Sequence, residues 1–125
     1  MVKSSRFFLP AAFVAVVLAL PLLAATPAYQ HSTEVTLDGS AIYVGDGIAT
    51  LGFFAIMKDG SNEIQVFFGP RSFLDDRGIQ LKTGDSLRVV GSRVKSNGCD
   101  IILAREVSHD GKTVTVRDKD GKPRW

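Results

Sequence analysis

The feature that most constrains this chain is an uncharged apolar run, residues 7–25, near its start. Lys3 and Arg6 precede the run, and a stretch of small residues, 24–28, closes it. This order of basic, apolar and small-residue regions is typical of a secretory signal peptide. We therefore predict an export signal over residues 1–28 and a mature domain over residues 29–125, located in the periplasm or outside the cell.

The alternative is an uncleaved membrane anchor. The run is barely long enough to span a bilayer, and Pro10 and Pro21 interrupt it. Cleavage between Ala28 and Tyr29 is therefore favoured, with no stable membrane insertion afterwards.

Charge and cysteine content limit the function classes. Without Lys3 and Arg6 the chain holds 13 basic and 13 acidic residues, so the mature part has no net charge to attract nucleic acid or anionic lipid. Its two halves differ, because residues 29–81 carry a net charge of −4 and residues 82–125 a net charge of +4. Cys99 is the only cysteine, which excludes an internal disulfide and a Cys-x-x-Cys-His haem attachment, and we expect it to be half-buried at a turn. No cofactor is predicted.

Short segments of alternating polar and apolar residues, separated by Gly, Asn and Asp, predict a chain of strands. The predicted strands cover residues 34–44, 49–58, 64–68, 86–95, 100–107 and 113–117. We expect a bend at Gly39 and a bulge at Gly91. A short helix from Pro70 to Arg77, ended by Gly78, should follow the third strand.

Three strands, a helix and two strands form the order of an OB-fold. The predicted fold is all-β, an OB-fold-like five-stranded barrel with a short helix between strands 3 and 4 and a C-terminal hairpin extension. A small β-sandwich is the alternative, although it would not need the helix. Phe53, Val66, Val89 and Leu103 should lie in the core of one barrel.

Several motifs in the second half of the chain occur together. They are Gly69-Pro70, Phe73-Leu74, Lys82-Thr83-Gly84-Asp85, Gly91-Ser92-Arg93, Ala104-Arg105-Glu106-Val107, and the tail from Arg117 to Trp125. As a set they resemble a group of small exported bacterial OB-fold proteins of poorly defined function. The resemblance covers about half the chain, and the nucleic-acid binding implied for such proteins rests on fold analogy.

Catalytic and metal-binding patterns are weak. The sequence has no Gly-x-Ser-x-Gly and no His-Glu-x-x-His motif. His31, His109, Met57 and Cys99 could supply soft metal ligands but lack ligand spacing. We predict neither a catalytic residue nor a metal site, and we expect that the protein is not an enzyme.

The arginines of the fourth and fifth strands are candidate binding residues. Arg93 and Arg105 interrupt apolar alternation, at positions where an inward side chain is expected beside Leu87 and Val89 or beside Ile101 and Leu103. The structural interpretation is internal pairing, such as Arg105 with Glu34 or Glu106 with Arg93. The functional interpretation is a shared contact site for an anion or partner at one rim of the barrel.

Aromatic residues are the other candidates. Phe54 and Phe67 should lie on the side of their strands opposite Phe53 and Phe68, on the face that OB-folds use for stacking ligands, unless the helix or the loop at 45–48 covers them. Trp125 is expected either to fold back as a plug or to serve as a docking handle. Arg71 completes the predicted ligand- or partner-binding set.

The favoured function is a small, non-catalytic binding or accessory module of the bacterial cell envelope, contacting a partner or ligand through one barrel face. An exported or membrane protein is the expected partner. Oligonucleotide or other polyanion binding is the first alternative, and a metal carrier or enzyme is the second. The oligomeric state is left open.

The signal-peptide interpretation predicts the start of the mature protein. N-terminal sequencing of the exported protein should give Tyr29 or a residue close to it, in the soluble fraction. Recovery of an intact residue 7–25 segment in the membrane fraction would contradict cleavage.

Overall fold

The computed structural model describes residues 27–47 and 51–125, so the predicted signal over 1–28 lies almost entirely outside the described part. A 3-10 turn, His31–Thr33, precedes the strands. In order, the elements are β1 (Glu34–Asp46), β2 (Phe53–Asp59), β3 (Asn62–Gly69), α1 (Arg71–Asp76), β4 (Ser86–Ser96), β5 (Cys99–His109) and β6 (Lys112–Thr115).

The strands close into the predicted OB-fold-like barrel. The first half of β1 pairs with β4 and its second half with β2, so one long strand serves both sides. β2 pairs with β3, β4 with β5, and a parallel pairing of β3 with β5 completes a ring of five strands. β6 pairs with β5 outside that ring, as the predicted hairpin extension.

The barrel interior is apolar, as the alternation of strands predicts. Its main cluster draws on all five barrel strands and on α1; Phe53, Val66 and Val89 lie in it, each at most 2% exposed. The predicted core positions on β2, β3 and β4 are therefore confirmed.

The core position predicted on β5 is buried, but on the outer side of the barrel instead of the inner side. Leu103 is fully buried, but it packs with Val94 and Ile101 in a second cluster on the outside of the barrel. Ile102 and Ala104 point into the barrel instead. Four consecutive apolar residues, 101–104, contain no alternation that could have fixed the orientation.

Local deviations from the predicted elements have simple causes. The irregularity of β1 lies between Ala41 and Tyr43 rather than at Gly39. The register of β4 with β5 shifts at Gly91, as predicted, but the extra residue is Arg105 on β5 and not Gly91. Pro70 is the N-cap of α1 rather than its first residue. Within residues 27–47 and 51–125, no helix is long and apolar enough to cross a membrane.

The second strand begins later than predicted, at Phe53 rather than residue 49. Gly52 has a positive φ of 79°, which breaks the strand before Phe53. Leu51 consequently packs on the outer cluster instead of sharing a face with Phe53.

Burial of Val89 predicts the effect of a charge inside the barrel. Val89→Asp should lower the free energy of unfolding by roughly 3 kcal/mol or more, because an unpaired carboxylate would replace an apolar side chain that is 1% exposed. Chemical denaturation measures the change. Thr36→Asp, an exposed position on the neighbouring β1, is the control and should leave stability nearly unchanged. Equal effects of the two variants would contradict the assigned strand orientation.

Candidate functional site

Three aromatic rings lie side by side on the outer surface of β1, β2 and β3. The ring centroids of Tyr43 and Phe54 are 6.0 Å apart, and those of Phe54 and Phe67 are 5.6 Å apart. The interplanar angle is 44° in both pairs, so the rings lie edge to edge on the surface and do not stack face to face. We call these three residues the aromatic face.

Strand register builds this face. Phe54 pairs with Gly45 on one side and with Phe67 on the other, so the two phenylalanines are direct cross-strand neighbours. Gly45 lets the Tyr43 ring lie against Phe54, since a Cβ atom there would approach the ring to 3.0 Å. A side chain at position 45 would therefore push Tyr43 away from Phe54.

The aromatic face is partly open to solvent. Phe54 and Phe67 are half-buried, whereas Tyr43 is 53% exposed and its neighbour Ile42 is 39% exposed. On the inner side of the same strands Phe53 and Phe68 are fully buried. The predicted division into one core set and one partly exposed set is confirmed.

The aromatic face continues into the covered outer cluster. Phe67 packs against the cluster of Val94, Ile101 and Leu103, which Tyr29 and Leu51 cover from outside. Sequence reasoning missed both Tyr43 and Tyr29. Tyr43 follows the irregularity in β1, where simple alternation fails, and Tyr29 reaches the barrel from outside any strand.

Polar contacts hold the segment from Tyr29 to Thr33 over the outer surface. Ser92, which is fully buried, accepts a hydrogen bond from the Gln30 backbone N–H at 2.9 Å, and its hydroxyl lies 3.0 Å from that of Thr33. The Tyr29 hydroxyl donates to Glu34 Oε2. Burial, reinforced by the charge of Glu34, raises the pKa of the Tyr29 hydroxyl above its usual value.

Arg105 is fixed by carboxylates. Its Nε and Nη2 donate to the two oxygens of Glu34 at 3.0 and 2.9 Å, and its Nη1 donates to Glu106 at 2.9 Å. These hydrogen bonds hold the pKa of the Glu34 carboxyl at about 2. The expected pairing of Arg105 with Glu34 is confirmed, whereas Glu106 pairs with Arg105 and not with Arg93.

Arg93 lies in a separate charged group. Its guanidinium pairs with Asp59 at the β2–β3 turn and lies 3.7 Å from Asp100. Arg93 and Arg105 therefore share no carboxylate partner, and the geometry does not bring them into the single site that alternation suggested. Arg71 pairs with Asp46 at 3.1 Å and lies 4.1 Å above the Phe53 ring.

Trp125 folds back on the barrel. Its ring lies against Gly69, where a Cβ atom would approach it to 2.6 Å, and packs edge-on against Phe73 with centroids 6.3 Å apart. The guanidinium carbon of Arg117 lies 5.2 Å from the centroid of the Trp125 ring. The Trp125 residue remains 41% exposed.

The soft-ligand residues are dispersed. Met57 is fully buried in the barrel core, and His109 lies 3.5 Å from both Asp85 and Asp110. Cys99 is exposed, not half-buried as expected. Among the described residues, no group of three or more His, Cys, Asp or Glu side chains could hold a metal ion.

Comparisons with known proteins place the chain in a family. The model of the MamS/MamX magnetosome protein family matches residues 51–114, which is just over half of the chain. The chain therefore belongs to the MamS/MamX magnetosome protein family. A comparison with curated proteins finds no match.

Among solved structures, the chain is similar to "a putative aspartyl-tRNA synthetase from Leishmania major Friedlin", with 14% identity and a TM-score of 0.44. The alignment covers 91% of this chain and 30% of that one, so the chain spans less than a third of that protein.

The Glu34–Arg105 pair predicts a loss of stability in acid. Since the folded-state pKa of about 2 lies below the ordinary 4.5, the ionised Glu34 carboxylate stabilises the fold above pH 4.5, by on the order of 1 kcal/mol once solvent screening of this surface pair is included. This stabilisation is lost as the pH falls through 2. Glu34→Gln should therefore unfold more easily than the parent at neutral pH, and the difference should shrink towards pH 2.

Denaturant unfolding at several pH values measures this difference. Glu63→Gln, which replaces an exposed side chain of β3, is the matched control and should unfold like the parent at every pH. If the free energies of unfolding of Glu34→Gln and the parent differ by the same amount at neutral and acidic pH, the ion-pair account is contradicted.

Proposed function

We propose that this member of the MamS/MamX magnetosome protein family is a small, exported, non-catalytic accessory module that docks on a protein partner of the magnetosome through its aromatic face. The observation that carries the proposal is the row of Tyr43, Phe54 and Phe67 outside a barrel whose core is already complete. These rings add nothing to the interior of the barrel. An aromatic cluster open to solvent is typical of an interaction surface.

The surroundings of the aromatic face favour a protein partner over a polyanion. Arg93, Arg105 and Arg71, the arginines first considered for binding, are each paired with carboxylates of the same chain. Lys58 and Glu63 are cross-strand neighbours at the end of β2 and β3, so their charges offset each other. Aromatic side chains supply large contact area at low entropic cost, which suits a protein surface.

Support for a magnetosome location comes from the family, and support for export comes from the predicted signal over residues 1–28. An accessory role fits a domain whose described histidines and cysteine are dispersed rather than gathered into one site. The partner is expected to present an apolar or aromatic patch of its own.

Washing isolated magnetosomes tests the proposal. The protein should remain bound in about 1 M NaCl, where the Debye length is roughly 3 Å and a polyanion contact would be released. The double variant Tyr43→Ser/Phe54→Ser should be lost from the same fraction, as judged by immunoblot. Lys58→Gln, on the same side of β2 but outside the aromatic face, is the control and should stay bound.

Two outcomes would contradict the proposal. Release of the parent protein by salt alone would favour polyanion binding instead. Retention of a correctly folded Tyr43→Ser/Phe54→Ser variant would show that the aromatic face is not the contact surface.

A further inference from the structure

Among the Lys and Arg residues that the structure describes, Arg117 alone is half-buried without a carboxylate partner. All 13 Asp and Glu residues lie in the described part of the chain, between Glu34 and Asp120. Their ion pairs with Lys and Arg use Arg71, Arg88, Arg93, Lys95 and Arg105, and none uses Arg117. Every other Lys or Arg in residues 27–47 and 51–125 without such a partner is exposed.

Two aromatic rings flank the Arg117 guanidinium. Its central carbon lies 5.2 Å from the Trp125 ring centroid and 6.0 Å from that of Tyr29. Nη1 donates one hydrogen bond, to the carbonyl oxygen of Gly121 at 2.8 Å. Cation–π attraction to the rings and this single bond hold the guanidinium in place.

Most of the hydrogen-bonding capacity of Arg117 remains available. A guanidinium carries five N–H donors, and one bond to Gly121 uses only one of them. No buried side-chain nitrogen or oxygen in the described residues lacks a partner, so the remaining donors of Arg117 reach solvent. A ligand can therefore approach this edge of the side chain.

Unlike Arg93 and Arg105, Arg117 lacks a carboxylate partner. Both are also half-buried, and each meets carboxylates of the same chain. Partial burial disfavours a charge that has no counter-charge, and burial lowers the pKa of Arg117 below its ordinary value. Asp118 follows Arg117 in the sequence but forms no ion pair with it, and its carboxylate instead accepts hydrogen bonds from the backbone N–H groups of Asp120 and Lys122.

We propose that Arg117 is an oxyanion-binding residue, whose free guanidinium edge takes a carboxylate or phosphate group between the rings of Tyr29 and Trp125. A planar fork of N–H donors matches both groups through paired, charge-assisted hydrogen bonds. The competing role is purely structural: Arg117 would only stabilise the positions of the two rings through cation–π contacts.

This site does not depend on the docking role of the aromatic face. Tyr29 packs on the same outer cluster as Phe67, so a partner seated on the aromatic face could also present an acidic group to Arg117. Failure of either proposal nevertheless leaves the other standing, because one is tested by apolar docking and the other by a small anion.

Trp125 is the only tryptophan in the chain and reports directly on Arg117. Its fluorescence is followed while sodium acetate or sodium phosphate replaces sodium chloride at constant ionic strength. A saturable change with a roughly millimolar dissociation constant is expected for at least one anion. Saturation by acetate identifies a carboxylate ligand, and saturation by phosphate alone identifies a phosphoryl ligand.

Variants of Arg117 distinguish anion binding from a purely structural role. Arg117→Gln should weaken the binding by about tenfold or more, and Arg117→Lys should weaken it less, because lysine keeps the charge but loses the fork. Arg88→Gln, which removes an exposed arginine paired with Asp38, is the control and should bind like the parent. A non-saturating change in the parent, or the same affinity in folded Arg117→Gln, overturns the proposal.

Circular dichroism shows whether Arg117→Gln is folded. If it is not, the Nε–Hε resonance of Arg117 in the parent protein decides the matter under the same titration. A saturable shift of that resonance supports the site, and no shift overturns it.

Discussion

The parallel pairing of β3 with β5 is the contact on which the rest of the structure depends. Residues 65–67 of β3 pair with 101–103 of β5 and close the ring of five strands. Closure leaves every barrel strand with an inner and an outer side. It also places Phe67 beside Leu103, which makes the outer apolar surface continuous from β1 to β4.

That outer surface has two parts with different surroundings. Around Val94, Ile101 and Leu103 it is covered by Tyr29 and Leu51. Around Tyr43 and Phe54 it is partly open. Packed side chains below the open part hold its rings in place, so under the proposed docking role the contact surface is ordered before a partner arrives.

The N-terminal and C-terminal segments of the described chain meet at Tyr29. Gly121 lies so close to Tyr29 that a Cβ atom there would approach the tyrosine ring to 2.8 Å. The Arg117 guanidinium lies 6.0 Å from the Tyr29 ring and 5.2 Å from the Trp125 ring. The favoured cleavage site after Ala28 preserves this arrangement. Removal of Tyr29 would uncover the outer cluster and take away one of the two rings beside Arg117.

The sequence predicts most of the fold because its strands are short, alternating and separated by clear turn residues. The Asn97-Gly98 turn, in which both residues have positive φ, is one such signal. The order of strands and helix then indicates the barrel. Orientation could not be predicted where alternation is absent, as in residues 101–104, or where an irregularity shifts it, as before Tyr43.

The candidate site is only partly predictable for a related reason. Phe54 and Phe67 follow from alternation within strands. The pairing of Arg105 with Glu34 was one of several combinations that charge alone allowed. The contacts of Tyr29, Arg117 and Trp125 join residues far apart in sequence and outside the barrel strands, and no local pattern encodes them.

Hydroxyl-radical footprinting of the protein, free and bound to isolated magnetosomes, tests the central claim most directly. In the free protein Tyr43, which is 53% exposed, should be readily oxidised. Docking through the aromatic face predicts strong protection of Tyr43 and Phe54 in the bound state, with little change at Cys99, which is exposed at the β4–β5 turn. Unchanged oxidation of Tyr43 in the bound protein would contradict the claim.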